Sequence, residues 1–182
     1  MSPVGSRRRM GALAGLVAWG LAASAAGQTR DDFANACAPL ITLLSMSPPP
    51  GEQGNVVRRL QAIAAGIAQE NVDLIVSAYA EGARVENFPR LLSADNRNHL
   101  MTKDQLQRTY RAYFENFPGA AVVFTHVTVS VKGSHALASA RARFVLPPGQ
   151  GRDTFNATVT WTLAKQKDGW TITEERYQEG GW

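Results

Sequence analysis

The chain has 182 residues, of which 45% are hydrophobic and 19% charged, enough for one domain with a substantial buried core. Its formal net charge is +4, but the first 26 residues contain Arg7, Arg8 and Arg9 and no acid. The rest of the chain therefore carries 16 basic and 15 acidic residues, a net charge of +1. This balance gives no support for a nucleic-acid-binding protein.

The amino-terminal segment predicts export. Three arginines precede an apolar run of small residues at positions 10–26, followed by a plausible cleavage site. The run is short and rich in Gly and Ala, which is typical of a secretory signal peptide rather than of a membrane anchor. We therefore expect residues 1–26 to be removed and the mature protein to be periplasmic or secreted, without membrane attachment.

Residues 27–54 are predicted to form an appendage and a linker ahead of the domain proper, which spans residues 55–182. A short helix is expected to begin at Pro39, because proline is tolerated at the first helical position. Three prolines and a glycine at positions 48–51 then form a stiff spacer. The lone cysteine, Cys37, is interpreted as a small apolar residue of this segment.

Two helices are predicted next. Residues 55–71 repeat apolar side chains at helical spacing: Val56, Leu60, Ile63, Ala64 and Ile67. A second helix is expected to begin after Asn71, to carry Tyr79 on its inner face and to end at Gly82. Residues 83–88 then read as a short strand, and residues 90–100 as a loop.

A third helix is predicted from position 102 to about position 116. Thr102 and Gln105 have the spacing of a capping box, with Met101 and Leu106 as the flanking hydrophobic pair. Pro118 and the glycine after it end the helix. Its inner face is predicted to consist of Leu106, Tyr110, Tyr113, Phe114 and Phe117.

The carboxy-terminal third predicts four long strands. Apolar and polar residues alternate over 121–131, 135–145, 154–165 and 170–177. Short turns join these runs, and Asp168-Gly169 is a strong signal for a tight hairpin. Helices followed by an antiparallel sheet with one apolar face indicate an α+β domain in which the helices cover one side of a curved sheet.

Two local motifs in this order resemble the nuclear transport factor 2-like superfamily, and most closely its SnoaL-like (polyketide-cyclase-like) branch. Residues 79–87, YAEGARVEN, are similar to the family's passage from helix to strand. Residues 167–172, KDGWTI, are similar to its closing hairpin. The resemblance covers about residues 55–177. It implies a cone-shaped barrel, a strongly bent sheet around three helices, with an internal pocket and frequent pairing of the sheets in homodimers.

The resemblance does not extend to the residues that perform the isomerase reaction known in this superfamily. Its proton-shuttling acid would directly follow Val85-Glu86, where this chain has Asn87, and an amide cannot act as a general base. The tyrosine that donates to an oxyanion would lie on the first helix, which here presents Leu60, Ile63 and Ile67.

Three other residues are weak catalytic candidates: Glu86, Glu174 and His126. Glu86 is either a base whose pKa burial has raised or a solvated edge residue. His126 either lines the pocket or is an exposed strand residue. Trp170, Ile172, Glu174 and Arg176 are expected to share a face of the last strand, so that Glu174 and Arg176 either point into the pocket mouth or form an ion pair at the rim.

The predicted ligand-binding residues combine aromatic walls with polar anchors. They are Tyr79, Asn87, Tyr110, Tyr113, Trp161 and Arg176. The three histidines, His99, His126 and His135, lack metal-ligand spacing, and no nucleotide or cofactor motif is present, so neither a metal nor a cofactor is predicted.

Three functions remain open from the sequence. The first is a non-catalytic exported domain that binds a small apolar or aromatic molecule. The second is an enzyme of the cyclase, isomerase or dehydratase kind that uses a pocket carboxylate. The third is a dimerisation or assembly module, whose interior would be filled by its own side chains.

Overall fold

The computed structural model describes residues 42–89, 100–146 and 154–180. The predicted signal peptide, most of the predicted appendage with Cys37, and His99 lie outside these residues. Within them the chain forms three helices and six strands. The helices are α1 (Glu52–Ala68), α2 (Val72–Val76) and α3 (Lys103–Asn116). The strands are β1 (Tyr79–Glu86), β2 (Leu100–Thr102), β3 (Ala121–Lys132), β4 (His135–Val145), β5 (Thr154–Gln166) and β6 (Gly169–Glu179).

The six strands form one sheet in the order β2-β1-β6-β5-β4-β3. All neighbouring strands are antiparallel except β1 and β6, which are parallel. The sheet ends in β2 and β3 and does not close on itself. The apolar faces of the helices and one face of the sheet enclose a continuous core, so the predicted α+β fold and its alternating strands are confirmed.

The second helix is shorter than predicted, and Tyr79 lies on a strand instead. Asn71 does cap α2, since its side chain accepts a hydrogen bond from the Leu74 amide at 3.0 Å. The helix nevertheless ends at Val76, because the chain then pairs with β6. The carbonyl oxygen of Ala78 accepts a hydrogen bond from the Ile172 amide at 2.9 Å. Inter-strand pairing has thus displaced a local helical preference.

The third helix begins as predicted. The Thr102 hydroxyl accepts from the Gln105 amide, and the Gln105 side chain accepts from the Thr102 amide at 2.8 Å, which completes the capping box. Met101 and Leu106 are both buried beside it. This start fixes the inner face of α3, on which Tyr110 and Tyr113 lie.

Two bulges interrupt the strict alternation expected of the long strands, and the β1–β6 ladder has a further register shift between Tyr79 and Arg84. In β3 the register shifts between Thr125 and Thr128, and His126 has a positive φ of 53°. In the β5–β6 ladder, Leu163 lies opposite Ile172 but Thr162 lies opposite Glu174, so Thr173 is an extra residue. Each bulge exchanges the two faces of the strand beyond it.

The bulge in β6 corrects one prediction. Trp170 and Ile172 are buried as expected, but Glu174 and Arg176 do not share their face. Beyond Thr173 the inward-facing residues are Glu175 and Tyr177, which are both almost completely buried.

The described part of the predicted linker packs on the domain. Leu43 is buried in the core, and its amide donates to the carbonyl oxygen of Phe124 on β3 at 2.8 Å. Gln61 of α1 donates to the carbonyl oxygens of Leu43 and Met46 at 2.9 and 2.8 Å. Thr42 to Ser45 forms a bridge and a turn, where the sequence predicted a continuing helix. No helix in the described residues is long and apolar enough to span a membrane.

Gly66 allows α1 and α2 to approach closely. A Cβ atom at this position would lie 2.7 Å from Cγ1 and 3.0 Å from the amide nitrogen of Ile75. We therefore expect Gly66→Ala to lower the free energy of unfolding by about 1–2 kcal/mol in urea titrations, although alanine normally favours a helix. The control is Gly82→Ala, where nothing lies within 4 Å. Stabilisation by Gly66→Ala would contradict this packing.

Candidate functional site

A buried carboxylate lies on the inner face of the sheet. Glu175 is 1% exposed and accepts three hydrogen bonds. The hydroxyl of Tyr79 donates to Oε2 at 2.7 Å, and Trp161 Nε1 donates to Oε1 at 2.8 Å. The hydroxyl of Tyr177 donates to Oε1 at 2.9 Å. We call these four residues the buried polar centre.

Three strands assemble the centre. Tyr79 is the first residue of β1, Trp161 lies in the middle of β5, and Glu175 and Tyr177 follow the bulge in β6. Trp161 lies opposite Glu175 in the ladder, so the register itself brings the indole to the carboxylate.

Burial changes the ionisation of the centre. Loss of hydration raises the pKa of Glu175 from its ordinary 4.5 to about 6, although its three hydrogen bonds act in the opposite direction. Burial raises the pKa values of Tyr79 and Tyr177 well above 10, and the neighbouring Glu175 carboxylate raises them further. At neutral pH the centre is therefore a carboxylate held by neutral donors, and the carboxyl group is the only member that titrates near neutrality.

Two more tyrosines extend the centre towards α3. Burial, then the Glu175 charge, raises the pKa of Tyr110 well above 10, while a hydrogen bond with Tyr177 acts in the opposite direction. Tyr113 is close enough to Tyr110 to contribute to the same shift. We call the buried polar centre together with Tyr110 and Tyr113 the tyrosine line.

The tyrosine line ends in an unpaired hydroxyl. Tyr113 is 1% exposed, and its hydroxyl has no hydrogen-bond partner among the described residues. Burial, with a smaller effect of Glu70, raises the pKa of Tyr113 to about 12, so the hydroxyl stays protonated. In residues 42–89, 100–146 and 154–180, the other such atom is Oδ1 of Asn156, which alternates with the inward residues of β5.

Aromatic rings surround the line. Phe88 packs edge-on against Tyr110 and Tyr177, with ring centroids 5.6 and 5.4 Å apart. Tyr110 also stacks on Phe114 at 5.9 Å, and Tyr177 approaches Phe144 at 6.2 Å. We call this set the aromatic wall: Phe88, Tyr110, Phe114, Phe144 and Tyr177. It makes the surroundings of the tyrosine line largely apolar.

The other predicted polar residues lie outside this interior. Nε of Arg176 donates to Glu86 at 2.7 Å, and its terminal nitrogen donates to Glu174 at 3.0 Å. These side chains are 57%, 31% and 40% exposed respectively. The rim ion pair that the sequence allowed is therefore present, and it includes Glu86.

Asn87 and His126 are exposed and adopt positive φ angles of 54° and 53°. Nδ1 of His126 lies 3.1 Å from the hydroxyl of Thr125. Of the predicted ligand-binding residues, the structure thus brings four together, Tyr79, Tyr110, Tyr113 and Trp161, and leaves Asn87 and Arg176 at the surface. Within the described residues, no group of three or more His, Cys, Asp or Glu side chains is placed to hold a metal ion.

Sequence reasoning missed Glu175 and Tyr177. Strict alternation from Trp170 assigns both residues to the outer face, and only the bulge at Thr173 turns them inward. Counting the alternation backwards from Tyr177 would have indicated Glu175, because it places Glu175 on the same face as that aromatic residue.

Residues 59–177 match the model of the SnoaL-like domain family. A search of curated proteins gives no match.

Solved structures share the fold at low sequence identity. One is a candidate aromatic ring hydroxylase from Novosphingobium aromaticivorans, with a TM-score of 0.61 and 15% identity over 74% of this chain and 92% of that one. A candidate scytalone dehydratase from the same species has a TM-score of 0.59 and 11% identity over 70% and 83% of the two chains. A candidate calcium/calmodulin-dependent protein kinase II association domain from Xanthomonas campestris has a TM-score of 0.58 and 17% identity over 74% and 92%. With the family match, these neighbours confirm the predicted resemblance, and the chain is a member of the SnoaL-like family within the nuclear transport factor 2-like superfamily.

Proposed function

We propose that the domain binds one small, largely aromatic molecule inside its cone, without converting it, and that the tyrosine line receives the polar group of that molecule. The observation that carries the proposal is the buried, unpaired hydroxyl of Tyr113. A buried hydroxyl without a partner costs about 1–3 kcal/mol, so native proteins rarely retain one. A ligand hydroxyl or carbonyl beside Tyr113 would remove this cost.

The surroundings support an aromatic occupant. The aromatic wall makes this interior apolar and rich in rings, and a few convergent polar groups among apolar ones are typical of ligand sites. One structural neighbour is named for aromatic ring hydroxylation and another for scytalone dehydration. The first of these names supports an aromatic class of ligand for this domain.

An acid–base enzyme is the second candidate, and the pKa of Glu175 favours it. A carboxyl group with a pKa of about 6 can both accept and return a proton near neutral pH. In this role Glu175 would replace Glu86 and Glu174, which form the exposed ion pairs with Arg176. Catalysis would appear as deuterium gained at carbon by the bound molecule in D2O, and Glu175→Gln would abolish this exchange.

The proposal includes the location of the protein and its oligomeric state. The leader-like pattern of residues 1–26 supports action outside the cytoplasm, as a periplasmic or secreted protein. We further propose a homodimer, on the family resemblance alone. If the domain served only for assembly, its interior would bind nothing.

Native mass spectrometry tests these points together. The full chain is expressed with its own leader, recovered without denaturation and sprayed beside Tyr113→Phe. We expect a processed mass, a dimer, and a small molecule retained by the natural protein at clearly higher occupancy than by the variant. The matched control is Arg108→Gln, an exposed position on the same helix.

The stability of the ligand-free proteins gives an independent check, because Tyr113→Phe should change stability and ligand retention in opposite directions. Removing an unpaired buried hydroxyl should raise the free energy of unfolding by about 1 kcal/mol. The same change should weaken retention of the molecule. A bare natural protein, or equal occupancy in Tyr113→Phe, would overturn the proposal.

A further inference from the structure

A concave site lies on the outside of the domain, away from the tyrosine line. It is a cleft of about 370 Å³ between the first half of α1 and the β5–β6 hairpin. Its lining consists of Glu52, Asn55, Arg58, Arg59, Ala62, Lys165, Gly169 and Trp170. The volume is in the range of clefts that hold small molecules.

Helical spacing explains why these side chains meet. Glu52, Asn55, Arg59 and Ala62 are three or four positions apart, so they form one face of α1. The apolar stripe of α1 occupies the other face and packs into the core. Gly169, with φ at 114°, turns the hairpin so that it passes beside Arg59; a Cβ there would lie 3.8 Å from a terminal nitrogen of that arginine.

The acid of the cleft lining, Glu52, already accepts hydrogen bonds from neighbouring side chains. Glu52 accepts from Lys165 at 2.6 Å and from Trp170 Nε1 at 2.7 Å. The hydrogen bond from Lys165, then that from Trp170, lowers the pKa of Glu52 to about 2, so it stays ionised. Glu52 therefore anchors the hairpin to α1 and balances the charge of Lys165.

Two guanidinium groups are left without an acidic partner. Arg58 donates to Oδ1 of Asn55 at 2.5 Å, and Arg59 donates weakly to the carbonyl oxygen of Ser77 at 3.5 Å. Neither takes part in an ion pair with any described residue. The three basic side chains and one acid of the lining give the cleft a formal charge of +2.

We propose that this cleft binds the oxyanion of a small acid, a carboxylate or a phosphate, through Arg58 and Arg59. A guanidinium group presents planar N–H donors that match the paired oxygens of either anion. The methyl group of Ala62, which lines the cleft, provides contact for the carbon skeleton of such an acid. The site goes beyond the proposed function, and it does not depend on a ligand inside the cone.

Calorimetric titration of the full chain tests this site. The probes are inorganic phosphate and succinate, each added at an ionic strength of about 20 mM to limit screening, with chloride as the matched salt control. We expect at least one probe to bind and chloride to give no heat. Arg58→Gln and Arg59→Gln should each weaken binding roughly tenfold, whereas Arg111→Gln, an exposed change on α3, should leave it unaltered. The preferred probe identifies the class of acid.

Glu52→Gln gives a result of opposite sign. The amide keeps an acceptor for Trp170 but removes the negative charge, so the cleft should bind the preferred anion several-fold more tightly. Thermal unfolding of each variant confirms that it is folded. The proposal is overturned if neither probe binds, if Arg58→Gln and Arg59→Gln bind as tightly as Arg111→Gln, or if Glu52→Gln weakens binding.

Discussion

Replacing Glu175 by leucine is expected to lower the free energy of unfolding by about 3–5 kcal/mol at pH 7. The leucine side chain has a similar size but accepts no hydrogen bond. Three buried donors, on Tyr79, Trp161 and Tyr177, would lose their common acceptor. The tyrosine hydroxyls can turn towards other oxygens, whereas the indole N–H is fixed by its ring. The expected loss of stability is therefore smaller than the cost of leaving three buried donors without an acceptor. Urea titration followed by tryptophan fluorescence measures it.

Glu175→Gln is the matched control for this loss. Its carbonyl oxygen can accept from Trp161 and Tyr177, and the hydroxyl of Tyr79 can reverse to accept from the new amide. At pH 7 the variant should remain within about 1 kcal/mol of the natural protein. If Glu175→Leu were as stable as Glu175→Gln, the hydrogen bonds of the buried polar centre would not hold the core together.

The sequence sufficed for the fold because β4 and β5 keep strict alternation over their full length. Ala136, Ala138, Ala140 and Ala142 are all buried, as are the alternate residues of β5 from Ala157 to Leu163. Capping chemistry was equally informative, since the residues of the box on α3 act within a single turn. Local rules of this kind need no knowledge of distant contacts.

The candidate site was only partly predictable, for a physical reason. Its carboxylate faces inward because of one extra residue, Thr173, in a run of polar and β-branched residues that fits either register equally well. Tyr79 was correctly predicted to face the core, but on a helix instead of a strand. The helical spacing of apolar residues continues into this segment, where pairing with β6 outweighs the local preference for a helix. Contacts between Tyr79 and Glu175, 96 positions apart, appear only when the sheet is assembled.

The pH dependence of stability provides the second large effect. Because the pKa of Glu175 is raised to about 6 in the folded protein, the unfolded chain releases this proton at lower pH than the folded one. The contribution of Glu175 to the free energy of unfolding is therefore complete below about pH 4.5 and is lost as the pH rises through 6. A shift from 4.5 to about 6 corresponds to about 2 kcal/mol.

The comparison with Glu175→Gln isolates this contribution, because every other titrating group is common to both proteins. The free energy of unfolding of the natural protein minus that of the variant should fall by about 2 kcal/mol between pH 4.5 and 7.5. Tyr79, Tyr110 and Tyr177 stay neutral throughout this range, since burial keeps their pKa values well above 10. Urea titrations at four pH values measure the difference. A difference that stays constant or grows with pH would mean that the three donors, rather than burial, dominate the ionisation of Glu175.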